Sequence, residues 1–154
     1  MDNRKILLVE DNADDVILTQ RMFTKSKIAN EIIVVGDGQE AIEYLFEDVN
    51  ECKIKNNGHD LPLVILLDLH LPKINGIEIL RKLRACEETK LVPVIVLSTS
   101  HEEDEIIASY TLGVISFVHK PVKFIDFCRC NQNVGVIFNG NQPATYIPLA
   151  MMAR

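Results

Sequence analysis

Four short stretches of this 154-residue chain carry side chains that could act together on a phosphoryl group. Glu10 and Asp11 follow an apolar run ending at Val9, and Asp68 follows Leu66-Leu67. Ser98 and Thr99 follow Val96-Leu97, and Lys120-Pro121 follows Val118-His119. Three clustered carboxylates repel one another and favour a hard divalent cation with oxygen ligands, most naturally Mg2+ retaining several waters. Such a cation can bridge a carboxylate and an incoming phosphoryl group and offset the charge that develops in transfer. Asp68 can then act as the nucleophile and form an acyl phosphate. Lys120 can pair with the phosphoryl oxygens, and the Ser98 hydroxyl can hydrogen-bond one of them. Any one of these residues alone reads as a turn or cap residue. Their shared placement, each just past an apolar run, is the argument for a site.

The elements that must position them are legible. Lys5–Val9, Ile32–Val35, Leu63–Leu67, Val94–Leu97 and Val114–Val118 are continuous Ile/Val/Leu-rich runs, the pattern of parallel strands buried on both faces. Helical spacing lies between them: Val16, Ile17, Gln20 and Phe23 with Met22; Ala41, Ile42, Leu45 and Phe46; Ile77, Leu80 and Leu83 with Ile79; Ile106, Ile107, Tyr110 and Leu112. Gly36-Asp37-Gly38 and Asn75-Gly76 precede the second and third helices. Ser100 is placed to cap the fourth, with Glu102–Glu105 supplying negative charge to its first turn, and Gly113 to stop it. Asp48–Pro62, which contains Asn56-Asn57-Gly58, reads as one long polar surface loop. Alternating strands and helices with right-handed crossovers imply a doubly wound α/β domain, whose sites lie at the carboxyl ends of the strands.

Composition limits the partners. A net charge of −6 disfavours nucleic acid and anionic membrane as ligands. No apolar run is long enough to span a bilayer and the N-terminus does not read as a signal peptide, so a cytoplasmic protein is expected. The four cysteines (Cys52, Cys86, Cys128, Cys130) lack the spacing of a disulfide framework, and reduced thiols are expected.

Leu8-Val9-Glu10-Asp11-Asn12, Leu66-Leu67-Asp68-Leu69-His70-Leu71-Pro72, Val96-Leu97-Ser98-Thr99-Ser100 and Val118-His119-Lys120-Pro121-Val122 resemble the four motifs of bacterial two-component response-regulator receiver domains. The likeness covers about residues 4–127, and the long loop and motif wording are most similar to single-domain regulators that accompany phytochrome-type histidine kinases. The resemblance implies a flavodoxin-like five-stranded sheet of order 2-1-3-4-5, with Asp68 as phosphoacceptor. It implies that Asp11 ligates Mg2+ directly, Glu10 through water and His70 through its backbone carbonyl. Ser98 would be the switch hydroxyl, Lys120 the phosphate partner followed by a cis peptide at Pro121, and Phe117 the switch aromatic. His70, Thr99 and Ser100 would tune the lifetime of the phosphorylated state. Glu10 departs from the commoner aspartate but keeps a carboxylate. Phosphorylation by a partner histidine kinase would remodel the face formed by the fourth helix and fifth strand, which then binds an unknown downstream protein. No appended DNA-binding or catalytic domain is expected, so output goes through protein contacts.

Two other classes compete. An aspartyl-phosphate phosphatase or phosphotransferase of the haloacid-dehalogenase kind would carry a second aspartate two residues after the nucleophile, where His70 stands. An interaction module that keeps only the fold would not need the full set of pocket residues. The signalling domain, not an enzyme acting on an external substrate, is the expectation. A fifth helix should begin at Phe124–Phe127, yet residues 128–154 are rich in Asn, Gly and Pro and lack helical period. Two explanations stand. A frameshift near Asp126–Cys128 would replace the native helix, since a reading one base later restores helical spacing. A genuine tail would instead cover the sheet through an edge strand such as Val134–Phe138, or through a homodimer.

Overall fold

A computed structural model of the chain describes residues 3–55 and 61–121. Its elements run β1 (Ile6–Val9), α1 (Ala13–Lys25), β2 (Ile32–Val35), α2 (Gly38–Leu45), β3 (Val64–Leu67), α3 (Gly76–Ala85), β4 (Val94–Ser98), α4 (Glu103–Thr111) and β5 (Ser116–His119). The strands form one parallel sheet of order β2-β1-β3-β4-β5. This is the expected doubly wound, flavodoxin-like arrangement.

Alternate residues of the inner strands feed two cores. Leu7, Val9, Ile65, Leu67, Val94 and Val96 pack with Ala41, Ile42 and Leu45 of α2 and Ile79, Leu80 and Leu83 of α3. Ile6, Leu8, Val64, Leu66, Ile95 and Leu97 pack on the opposite face with Phe23 of α1. A strand points successive side chains to opposite faces, so a run apolar at every position must be covered on both. Helix starts follow local chemistry. Asn12, Asp37 and Asn75 cap α1, α2 and α3 by accepting hydrogen bonds from backbone N–H groups of the first turn.

Four expectations need correction, and the long loop, exposed at 48–53 as expected, gains a detail. In α1 the buried residues are Thr19 and Phe23, while Ile17 is 47% exposed and Gln20 is exposed. The two buried positions are spaced four apart and face the sheet, whereas Ile17 lies well round the helix from them. The fifth strand begins at Ser116 rather than Val114, because the Val114 N–H instead closes the end of α4 on the Ser109 carbonyl. Ser100 does not cap the first turn of α4: the N-cap residue is Glu102, and the Ser100 hydroxyl accepts from the Glu102 N–H before the helix starts. The long loop is anchored where it is described. Phe46 and Ile54 form an antiparallel bridge, and the Lys82 ammonium lies 4.5 Å from the Phe46 ring centre and donates to the Glu51 carbonyl. Cys52 and Cys86 are joined as a disulfide rather than left as thiols. The bridge turns the chain back so that Cys52 lands over the C-terminal end of α3, where Cys86 is its buried cap residue.

Arg84 ties the far end of α3 to that of α4, donating to the Val92, Leu112 and Gly113 carbonyls. Asn56-Asn57-Gly58, Val122, the helix start at Phe124–Phe127, Cys128, Cys130 and the tail at 128–154 lie outside the described residues.

Candidate functional site

Backbone ladder bonds continue past the strand ends and fix the site residues. The Glu10 N–H donates to the Val35 carbonyl, the Asp68 N–H to Val9 and the Lys120 N–H to Ser98. Parallel strands present all their carboxyl ends at one edge, so these three residues converge. Gly76, at the start of α3, is pressed against that edge: a Cβ there would lie 2.4 Å from the Asp68 carbonyl oxygen and 2.6 Å from Leu69 Cα. Only glycine lets α3 begin so close behind Asp68. The Lys120-Pro121 peptide is cis, as expected from the motif.

Glu10, Asp11 and Asp68 each offer an oxygen, all within 4.8 Å of one another, with Glu10 and Asp68 buried and Asp11 exposed. The Lys120 ammonium reaches among them. It donates to Glu10, to Asp15 Oδ2 at 3.0 Å and to Asp68 Oδ2 at 3.1 Å. The lysine side chain is 7% exposed, Glu10 1%, Asp68 8% and Asp15 30%. The other oxygen of Asp68 accepts from the His70 N–H at 3.1 Å.

One ammonium cannot neutralise several carboxylates. Burial, reinforced by the charge of Asp68, raises the Glu10 carboxyl from 4.5 to about 7 despite the opposing Lys120 hydrogen bond. Burial works to lower the Lys120 pKa, yet its bond to Glu10, the charge of Asp68 and its bonds to Asp15 and Asp68 outweigh this and hold the ammonium above its usual range. An all-oxygen cluster with surplus negative charge and one solvent-facing member suits a hard divalent cation, which Glu10, Asp11 and Asp68 could hold.

The remaining predicted residues lie on or just after β3, β4 and β5. Ser98 is fully buried at the end of β4, and its hydroxyl accepts from the Ser100 N–H at 3.1 Å. Thr99 is exposed and Ser100 is buried. His70 is exposed, with Nε2 3.2 Å from Glu105 of α4. Phe117 is half-buried on β5, and its N–H donates to the Tyr110 hydroxyl of α4 at 3.3 Å. Its ring lies against His119, which stacks on His101.

Sequence reasoning did not single out Asp15. Its place in the first turn of α1 reads as that of a helix-dipole partner, and only the position of Lys120 marks it as a site residue. Tyr110 has the helical spacing of a core position, yet its hydroxyl reaches the edge strand.

Comparisons with known proteins agree with this geometry. The response regulator receiver domain family matches residues 6–129. Response regulator Rcp1 of Synechocystis sp. is 38% identical over 129 residues, covering 84% of each protein, and a crystal structure of the Mn(2+)-bound form of a response regulator Rcp1 superposes with a TM-score of 0.71 over 92% of this chain and 99% of that one, at 34% identity. The bacteriophytochrome response regulator AtBRR is 42% identical, with a TM-score of 0.71 over 88% of this chain and 95% of that chain. A phosphorylated cyanobacterial phytochrome response regulator, RcpA, is 33% identical, with a TM-score of 0.72 over 92% of this chain and 98% of that one. Among the described residues no helix is long and apolar enough to cross a membrane. From its motifs, its sheet order and these relatives, the chain belongs to the response regulator receiver domain family of two-component systems.

Proposed function

We propose that this chain is a phosphoacceptor switch in which Asp68 receives a phosphoryl group from a histidine kinase, assisted by Mg2+ held by Glu10, Asp11 and Asp68, with the His70 carbonyl as a further ligand. The observation that carries the reading is the meeting of Asp68, Glu10 and Asp11 with the Lys120 ammonium at the carboxyl edge of the sheet. A bound Mg2+ supplies positive charge to the phosphoryl oxygens during transfer.

In the forward step an Asp68 carboxylate oxygen forms an O–P bond as the P–N bond to the kinase histidine breaks. The imidazole nitrogen keeps that electron pair and takes a proton from solvent. Lys120, already 3.1 Å from Asp68, turns to the new phosphoryl oxygens. The Ser98 hydroxyl then donates to one of them and gives up its bond from the Ser100 N–H. The Phe117 ring moves inward and remodels the α4–β5 face that a downstream protein reads. The state ends by hydrolysis: water attacks phosphorus and loses a proton to solvent as the Asp68 O–P bond breaks, which returns the Asp68 carboxylate and inorganic phosphate. His70, Thr99 and Ser100 border that approach and set its rate. The receiver unit spans about residues 4–127.

The two phytochrome-regulator relatives support a phytochrome-type kinase as the donor. The reading is tested by incubating the protein with acetyl phosphate and following intact mass. One phosphoryl group should be gained with Mg2+ and none with a chelator. Equal labelling in both conditions would reject the metal's role, and labelling in neither would reject the acceptor.

A further inference from the structure

Lys120 carries one positive charge and has three carboxylate partners, two buried and one, Asp15, partly exposed. Asp15 does not sit there by accident of a loose side chain. The Asn12 side chain accepts from the Asp14 and Asp15 N–H groups at 2.9 Å and 3.2 Å. The Asp15 carbonyl accepts the Thr19 hydroxyl at 2.8 Å. The first turn of α1 is thus fixed, and it presents the Asp15 carboxylate to the rim of the pocket, 3.0 Å from the ammonium.

We propose that Asp15 is a positioning residue for Lys120, a rim seat that competes with a phosphoryl group on Asp68 for the single ammonium. This rests on the phosphoacceptor reading above. The three N–H donors of the ammonium are all engaged, one each on Glu10, Asp15 and Asp68, so a phosphoryl group on Asp68 that takes more than one of them must displace a partner. With Asp15 present, the unphosphorylated pocket keeps its lysine paired and in place, and the phosphorylated state must draw it from the rim. Asp15 therefore biases the switch toward the unphosphorylated state, and removing its charge releases that bias.

The test is a titration of the full chain with beryllofluoride, a stable phosphoryl mimic, at fixed saturating Mg2+, read by 19F NMR. Asp15→Asn keeps the shape of the side chain and removes its charge. Because Asp15 is partly exposed, the gain is that of a screened ion pair, and the half-saturating beryllofluoride concentration should fall about two- to fivefold. Asp15→Glu, which keeps the charge, should stay near wild type. A purely structural role would weaken binding in Asp15→Asn, the opposite sign. Unchanged or weaker binding by Asp15→Asn, with wild type binding normally, overturns the role of Asp15 alone. Absence of Mg2+-dependent beryllofluoride binding by wild type overturns the acceptor reading and this proposal with it.

Discussion

The Cys52–Cys86 disulfide closes a loop between residues 34 apart in sequence. The closed segment contains β3 and α3, so the crosslink encloses Asp68 and the helix pressed behind it. In the chain-entropy account, closing a loop of this length removes about 12.6 cal/mol/K from the unfolded chain, which is about 3.8 kcal/mol at 25 °C. For a chain of this size each kcal/mol moves the unfolding midpoint by roughly 2–4 °C, so reduction should lower it by roughly 7–15 °C. The native fold should survive, because the Phe46–Ile54 bridge and the Lys82 bond to the Glu51 carbonyl remain. Cys52 is exposed, so Cys52→Ser breaks the link without opening the buried side of the pair. Peptide mapping under non-reducing conditions should find the Cys52 and Cys86 peptides joined. Thermal unfolding would then compare oxidised protein, protein in excess phosphine reductant and Cys52→Ser. The reductant should match the variant's effect and do nothing further to the variant. Joined peptides with a midpoint shift under about 2 °C would refute the entropic reasoning, and unjoined peptides would refute the link itself.

Three further outcomes follow from the site. Gly76→Ala forces a methyl group into the Asp68 and Leu69 backbone, and should cost about 3 kcal/mol in denaturant unfolding and slow acetyl-phosphate labelling; an unperturbed midpoint would contradict the packing. Glu10 binds a proton more tightly folded than unfolded, so without divalent metal its contribution to stability is complete below about pH 4.5 and lost as pH rises through about 7. Mg2+ should therefore raise the unfolding midpoint more at pH 8 than at pH 5, and equal shifts would contradict the assignment. Tyr110→Phe removes the acceptor of the Phe117 N–H; it should cost about 1 kcal/mol and speed hydrogen exchange at the Phe117 amide, which unchanged protection would disprove.

The strands and most of the pocket were legible because they depend on local pattern and one topological rule. Continuous apolarity marked β1, β3 and β4 as buried on both faces, and a parallel sheet then gathers Glu10, Asp68 and Lys120 without any further information. What escaped depends on distances through space. A charged residue in a first helical turn, such as Asp15, reads as a partner of the helix dipole until the position of Lys120 is known. Thr19 looks polar in sequence, but its hydroxyl is satisfied by the Asp15 carbonyl, which allows its burial. Cys52 and Cys86 carry no spacing signal, because their approach is created by the turn that the Phe46–Ile54 bridge imposes. Val114 and Ile115 look like strand and are buried, yet Val114 is used to finish α4.

The central claim is that the phosphoryl group resides on Asp68. Labelling the protein with acetyl phosphate and Mg2+, reducing the acyl phosphate with borohydride and sequencing the peptides by mass spectrometry reads that position directly. The account predicts conversion of Asp68 to homoserine in wild type and no labelled peptide in Asp68→Asn. Modification at another carboxylate in wild type, or undiminished labelling in Asp68→Asn, would contradict it.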